Sequence, residues 1–134
     1  MNHLFDVQNL CVLISGSSRG IGFELAWGFL EHGAKVAISS ENESELNEAF
    51  KQLNATYRNR VLAVLCDVRS AESCREAVTK VISNFGSLTT TICNAGVDII
   101  KPVELYSEQD WKFILDVNLK GTFNFSQAAM LKIL

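Results

Sequence analysis

The residues most suited to chemistry form a glycine-rich segment directly after a short apolar run. Cys11–Ile14 is apolar, and the residues that follow it read Ser15-Gly16-Ser17-Ser18-Arg19-Gly20-Ile21-Gly22. Between a buried strand and a helix, the first glycine permits a sharp turn and the second lets the backbone approach a diphosphate. The third lets helix and strand pack closely. Because the helix N-terminus adds unpaired N–H groups and partial positive charge, the segment predicts a diphosphate-binding turn. A purely structural glycine turn is the alternative.

Polar residues follow two later apolar runs and interrupt a third. Asp67 follows Val61–Cys66, where a turn or cap residue is one interpretation. Asn94 follows Leu88–Cys93 and is expected to brace the turn there. Asn118 lies in an otherwise helical, apolar stretch, where asparagine has poor propensity, so it is expected to have a specific hydrogen-bonding role.

These residues need a scaffold, and the apolar patterning predicts one. Four short apolar runs, taken as strands, alternate with helical patterns, at 11–14, 35–39, 61–66 and 88–93. Ser70 and Ser107 are predicted N-caps, and a long final helix with Asp110 in its first turn follows Ser107. Strands that are apolar on both faces predict an α/β fold with a doubly wound parallel sheet, in one domain spanning 1–134. The expected strand order is 3-2-1-4.

Four motifs in this order resemble the classical short-chain dehydrogenases/reductases, closest to the 3-oxoacyl-carrier-protein-reductase-like members. The motifs are the glycine turn, Cys66-Asp67-Val68, Asn94-Ala95-Gly96 and Asp116-Val117-Asn118-Leu119-Lys120-Gly121, with Cys93 replacing the first Asn of the family's Asn-Asn-Ala-Gly. The resemblance implies a Rossmann-like fold and hydride transfer between a nicotinamide dinucleotide and a small carbonyl or alcohol substrate. It implies that Asp67 binds the adenine amino group and that Asn118 is catalytic, holding a water in a proton relay. The cofactor-binding residues it implies are Gly16, Ser18, Arg19, Gly20, Ile21, Gly22, Ser40, Glu41, Asp67, Val68, Asn94, Ala95 and Gly96.

The choice between NADP and NAD depends on charges near the end of the second strand. Ser40 stands at the family's Asp position, which removes the usual repulsion of the 2′-phosphate. Arg19 resembles the basic residue of NADP-dependent members, whereas Glu41 stands where many of them have a second Arg. We expect NADP in preference to NAD.

The family's catalytic Ser and its Tyr-x-x-x-Lys motif are not found in the sequence. Val61 and Asp110 lie four residues after Tyr57 and Tyr106, so neither tyrosine begins that motif. The interpretation is a Rossmann-type domain truncated after the fourth strand and its following helix, inactive alone. A non-catalytic nucleotide-binding or dimerising fragment is the alternative. The final residues, 131–134, lack a Gly, Pro or polar cap, which favours truncation.

The composition of the chain limits which partners and cellular locations are expected. With 12 Lys and Arg against 15 Asp and Glu among 134 residues, the net charge of −3 disfavours nucleic acid. No apolar run approaches the ~18 residues of a membrane span, and residues 1–6 lack the basic region of a secretory signal. The four cysteines form no C-x-x-C pair, so no metal site is expected. We expect them to be buried thiols of a protein in the reducing cytoplasm. The apolar final helix predicts a homo-oligomer.

Overall fold

A computed structural model of the chain describes residues 4–133. Residues 1–3 and 134 lie outside the described part. They belong to the segments 1–6 and 131–134, on which the expectations about a secretory signal and about truncation depend. The strands are β1 Cys11–Ile14, β2 Lys35–Ser40, β3 Val61–Leu65 and β4 Thr90–Ile92. The helices are α1 Gly20–Glu31, α2 Glu43–Thr56, α3 Ala71–Phe85, α4 Glu108–Leu115 and α5 Gly121–Ile133. None of the described helices is both long enough and apolar enough to cross a membrane.

The strands form one parallel sheet in the order β3-β2-β1-β4. Val12 of β1 pairs with Val36 of β2 on one side and with Thr90 of β4 on the other. The predicted fold class and strand order are therefore confirmed. Since β1 and β2 are almost wholly buried, both faces of the sheet must be covered by helices.

Two apolar cores lie on opposite faces of the sheet, because successive side chains of a strand point to opposite sides. Val12 and Ile14 pack in one core, whose helical residues come from α1 and α2. Leu13 packs in the other core with residues of α3 and α5, including the fully buried Phe125. This three-layer arrangement leaves the carboxyl ends of the strands as the edge where the polar motifs meet.

Side chains cap the N-termini of α2, α3 and α4. Asn42 accepts from the Glu45 amide, and Ser70 accepts from the Ser73 amide. Ser107 and Asp110 form a reciprocal capping box. The predicted caps Ser70 and Ser107 are confirmed.

The fourth strand is shorter than the predicted Leu88–Cys93. At its start, the Cys11 amide donates to Thr89 Oγ1 at 2.9 Å, so a side-chain oxygen accepts this bond in place of a backbone carbonyl of the neighbouring strand. At its end, the amides of Asn94 and Ala95 both donate to Ser15 Oγ. Ladder pairing is thus confined to Thr90–Ile92, and both predicted ends were wrong.

The sequence predicted one long final helix, and this prediction was wrong, because a π-helical turn separates α4 from α5. This turn comprises Asp116–Lys120 and contains Asn118. Helical turns with an extra residue are often found at functional sites. Asn118 therefore lies in a widened turn rather than in the middle of a regular helix.

Candidate functional site

The turn between β1 and α1 is held against the loop after β4 by close backbone approach. Gly16 has φ of +58°, and a Cβ there would lie 2.8 Å from the Ala95 Cα. A Cβ on Gly22 would lie 2.5 Å from Asn94 Nδ2 and 2.6 Å from the Gly16 carbonyl oxygen. Both positions therefore require glycine for packing, as the sequence predicted for Gly22.

Gly20 has a different environment from the other two glycines of the turn. Its φ is +60°, which favours glycine, and a Cβ there would meet nothing within 4 Å. The open side of this residue borders the cleft at the carboxyl edge of the sheet. Helix α1 begins here, with no capping bond from the Arg19 side chain and no acidic residue in its first turn. The N-terminus of α1 therefore presents amides and partial positive charge to the cleft.

Two serines and Asn94 fix the shape of the turn. Ser17 Oγ donates to the Ile14 carbonyl at 2.8 Å and accepts from the Ser39 amide at 2.9 Å. Asn94 Nδ2 donates to the carbonyl oxygens of Ser15 and Gly16. Asn94 thus braces the turn while lining the cleft. The sequence analysis assigned no role to Ser15 and Ser17, although small hydroxyl residues beside a turn glycine commonly bond to the backbone.

Asp67 lies at the cleft just after β3, and its carboxylate is paired with Arg69. Arg69 donates to it from Nε at 3.0 Å and from Nη2 at 2.8 Å, and its backbone amide also donates. These hydrogen bonds hold the pKa of Asp67 below its ordinary value of 3.8, against the opposing effect of partial burial. The carboxylate is therefore charged at neutral pH. Arg69 also lines the cleft but was not predicted as a site residue.

At the end of β2, the charges differ from those the sequence analysis weighed. The Ser40 hydroxyl accepts from the Asn42 amide and so turns the chain into α2. Arg19 lies 4.0 Å from the Glu45 carboxylate, with side chains 83% and 42% exposed, and Ser18 Oγ donates to the same carboxylate at 3.4 Å. Glu45 is in the first turn of α2, where a carboxylate suits the helix dipole. The acidic neighbour of Arg19 is thus Glu45, which the sequence analysis missed.

Asn118 is exposed and is not among the residues that line the cleft. Its Oδ1 accepts from the Val97 amide at 2.8 Å, and its Nδ2 donates to the Val97 carbonyl at 2.9 Å. The predicted hydrogen-bonding role is therefore present, with the loop after Gly96 as its partner. Its role in a proton relay stays a prediction.

The predicted residues largely converge on one cleft. All predicted site residues except Gly22 and Asn118 line this cleft. Gly22 packs against Asn94, which does line the cleft. Six further residues line it that the sequence analysis did not assign to the site: Glu45, Cys66, Arg69, Val97, Phe113 and Val117.

The four cysteines are free thiols. Cys11, Cys66 and Cys74 are buried as predicted, whereas Cys93 is exposed, so the prediction of a buried thiol was wrong at that position. The hydrogen bond to Cys74 and burial raise the pKa of the Cys66 thiol well above its usual range, so this thiol stays protonated. Within residues 4–133, no three His, Cys, Asp or Glu side chains are grouped so that they could hold a metal ion.

A parallel sheet in this order, with a glycine turn and an uncapped helix at its carboxyl edge, defines a Rossmann-like α/β domain. Residues 10–134 match the family model described as short chain dehydrogenase, and the chain belongs to that family.

Similar proteins support the same assignment. The chain is 32% identical over 130 residues to a 3-oxoacyl-(acyl-carrier-protein) reductase of Chlamydia muridarum, an alignment that covers 97% of this chain and 52% of the relative. It is 38% identical over 119 residues to a 3-dehydrosphinganine reductase of Arabidopsis thaliana, covering 89% and 35%. A short chain dehydrogenase structure from Mycobacterium smegmatis superposes with a TM-score of 0.90 at 31% identity, covering 95% of this chain and 53% of that one. The chain thus spans about a third to a half of the curated relatives it matches.

Proposed function

We propose that the cleft binds a nicotinamide dinucleotide and that the chain forms the dinucleotide-binding half of an oxidoreductase. The substrate class we propose is a small carbonyl or alcohol compound. The observation that carries this proposal is the N-terminus of α1, which opens into the cleft without a side-chain cap. The helices α2, α3 and α4 have capping side chains of their own. An anion is the partner that such a helix end favours.

The residues present fit a dinucleotide. Gly20 has open space where a diphosphate would lie, and the amides at the start of α1 would bind it. Asp67 and Val68 would bind the adenine, and Ile21, although apolar, is 75% exposed beside the cleft. Asn94, Ala95 and Gly96 would line the nicotinamide end. When bound, the dinucleotide supplies or accepts a hydride, and the role of this chain is to bind and orient it.

We propose that Asn118 is the one catalytic residue this chain supplies, beside the Ser, Tyr and Lys that the family resemblance implies and that were not found in this sequence. Its amide does not ionise near neutral pH, so it cannot serve as the proton donor of a carbonyl reduction. Its proposed role is to hold a water, in addition to its contacts with Val97. Because neither tyrosine begins a Tyr-x-x-x-Lys motif, a polypeptide of these 134 residues is expected to bind a dinucleotide without turnover.

We propose NADP in preference to NAD. Arg19 is the cation near the cleft whose long side chain is most exposed, and Ser40 adds no charge. Glu41 and Glu45 oppose this preference, and Glu45 holds Arg19 only loosely, at 4.0 Å. A charge-assisted bond to a 2′-phosphate contributes about 1.5–3 kcal/mol, more than the exposed Arg19–Glu45 pair contributes.

The binding proposal is tested by titrating NADPH and NADH into the parent chain, Gly20→Val and Gly86→Val. Both glycines have a positive φ, which strains valine, and neither would have an atom within 4 Å of a Cβ, but only Gly20 borders the cleft. Gly20→Val is expected to lower affinity at least about tenfold, as a blocked ion–amide contact would. Gly86→Val is the matched control and should bind like the parent. Equal affinity of a folded Gly20→Val variant would overturn the proposed site.

Cofactor preference is tested by the NADPH to NADH affinity ratio. Arg19→Ala should lower the ratio about tenfold, and Glu45→Gln should raise it, because it removes the competing carboxylate. A ratio unchanged by Arg19→Ala would overturn the NADP preference without affecting the binding proposal.

We also propose a reducing compartment such as the cytoplasm. The four cysteines are all free thiols, and three of them are buried.

A further inference from the structure

Arg69 holds the carboxylate of Asp67 in a fixed plane. Two separate nitrogens of its guanidinium, Nε and Nη2, donate to the two different oxygens of Asp67. This fork geometry restricts rotation of the carboxylate more than a single contact would. The Arg69 amide donates to the same Oδ1 and closes the local turn.

The Arg69 guanidinium also lies over an aromatic ring. Its Cζ is 5.7 Å from the centroid of Phe113, which is in α4 and also lines the cleft. A guanidinium above a ring face is attracted to it. Arg69 thus connects the turn after β3 to α4, and its side chain is constrained by both.

The hydrogen bonds of Asp67 leave limited acceptor capacity. An ionised carboxylate has about four acceptor positions on its two oxygens. Arg69 uses two on Oδ1 and one on Oδ2. The remaining position is on Oδ2, and its carboxylate is 37% exposed at the cleft.

We infer that Arg69 is a positioning residue for adenine recognition, because it orients Asp67 so that the free acceptor position of Oδ2 serves the amino group of the base. The inference rests on the proposed dinucleotide site and assigns to it a residue that contacts Asp67 rather than the reacting atoms. It predicts that Arg69 controls selectivity for an amino group on the base, not only affinity.

The test compares reduced nicotinamide adenine dinucleotide with reduced nicotinamide hypoxanthine dinucleotide, which has a carbonyl in place of the amino group. The parent chain is expected to bind the adenine compound about tenfold more tightly, as for a hydrogen bond to a charged acceptor. Arg69→Ala should reduce this selectivity to about twofold or less, since the two guanidinium bonds are lost and only the backbone amide of residue 69 still holds Oδ1. Arg75→Ala, an exposed arginine of α3 that does not line the cleft, should keep the parent's selectivity.

The outcomes separate the possible failures. Equal loss of affinity for both dinucleotides in Arg69→Ala, with selectivity retained, indicates a merely structural role and would overturn the inference alone. A parent that binds both compounds equally would also overturn it, whereas a parent that binds neither overturns the proposed function as well. Circular dichroism checks folding, and if Arg69→Ala does not fold, Arg69→Gln is held to the same criterion.

Discussion

At the scale of single residues, two glycines of α1 are expected to respond to alanine in opposite directions. Gly22→Ala places a Cβ 2.6 Å from the Gly16 carbonyl oxygen, and this backbone atom cannot move aside without distorting the turn. We expect destabilisation of about 1–3 kcal/mol, as for overpacking. Gly28→Ala meets nothing within 4 Å and should stabilise the helix by about 0.5–1 kcal/mol.

Urea denaturation measures both changes. The two variants share a helix and a substitution, so they differ only in what the new methyl group meets. Shifts of the same sign in the two midpoints would contradict the packing assigned to Gly22.

The residues that sequence could identify are those whose role is local. The glycine turn lies within eight consecutive residues, and its setting between an apolar run and a helical pattern was enough to predict a diphosphate-binding turn. Glu45 and Arg69 were missed for a different reason. Glu45 meets Arg19 only because β2 and α2 fold back beside α1, which requires tertiary structure. Arg69 lies only two residues after Asp67, but its contact with Phe113 of α4 also requires tertiary structure.

At the scale of elements, the π-helical turn and the loop after β4 depend on each other through Asn118. Asn118→Ala removes both of its hydrogen bonds to Val97 and should destabilise the fold by about 1 kcal/mol, since Asn118 is exposed. Asn84→Ala is the control, because Asn84 is also exposed and donates one bond within its own helix. Thermal unfolding should rank Asn118→Ala as the more damaging. The reverse order would show that the two bonds to Val97 contribute little.

Helix α4 is expected to make stability sensitive to acid. Lys101 and the Ser107 cap lower the pKa of Asp110, and Lys112 lowers the pKa of Asp116. Because both pKa values are lower in the folded than in the unfolded chain, the stabilisation is present above the ordinary value of 3.8. It is lost as the pH falls through the folded values.

Denaturation midpoints between about pH 5 and pH 2 test this. The double variant Asp110→Asn with Asp116→Asn should lose less stability over this interval than the parent. The double variant Glu48→Gln with Glu76→Gln, at exposed positions of α2 and α3, controls for the same change of two in net charge. If the parent and the double variant lose stability in parallel, these two carboxylates are not the acid-sensitive groups.

The elements themselves were predicted well where patterning decided them. Four short runs rich in apolar and β-branched residues, separated by amphipathic segments, leave little choice but a parallel sheet, and strand order followed from right-handed crossovers. The π-helical turn was not predicted, since the apolar spacing continues through Asp116–Lys120 without a glycine or proline. The ends of β4 were wrong because the side chains of Thr89 and Ser15 replace backbone rungs.

At the scale of the whole molecule, the chain of 134 residues is expected to self-associate. Phe123 and Leu131 of α5 are 61% and 69% exposed. Among the strands of residues 4–133, β4 pairs only with β1, which leaves its other side as a sheet edge. Exposed apolar patches and open edges both favour association. Sedimentation velocity at tens of micromolar should therefore show species larger than a monomer.

A charged double variant tests the source of this association. Phe123→Glu with Leu131→Glu should shift the distribution towards monomer, whereas Ile100→Glu should not, although Ile100 is 93% exposed in a loop. A single sharp monomer peak for the parent would contradict the prediction.

The register of the sheet also bears on the order in which the chain folds. Val12 pairs with Val36 after 24 residues of chain and with Thr90 after 78. Closing the longer loop costs roughly 1 kcal/mol more conformational entropy, so β4 is expected to dock last, onto a preformed β1–α1–β2 unit. Two amides of the same turn report this sequence of events, because the Ser15 amide bonds to Ile92 and the Ser17 amide bonds to Ser39. In pulse-labelled hydrogen exchange during refolding, the Ser17 amide should gain protection before the Ser15 amide. The opposite order would mean that the longer of the two loops closes first.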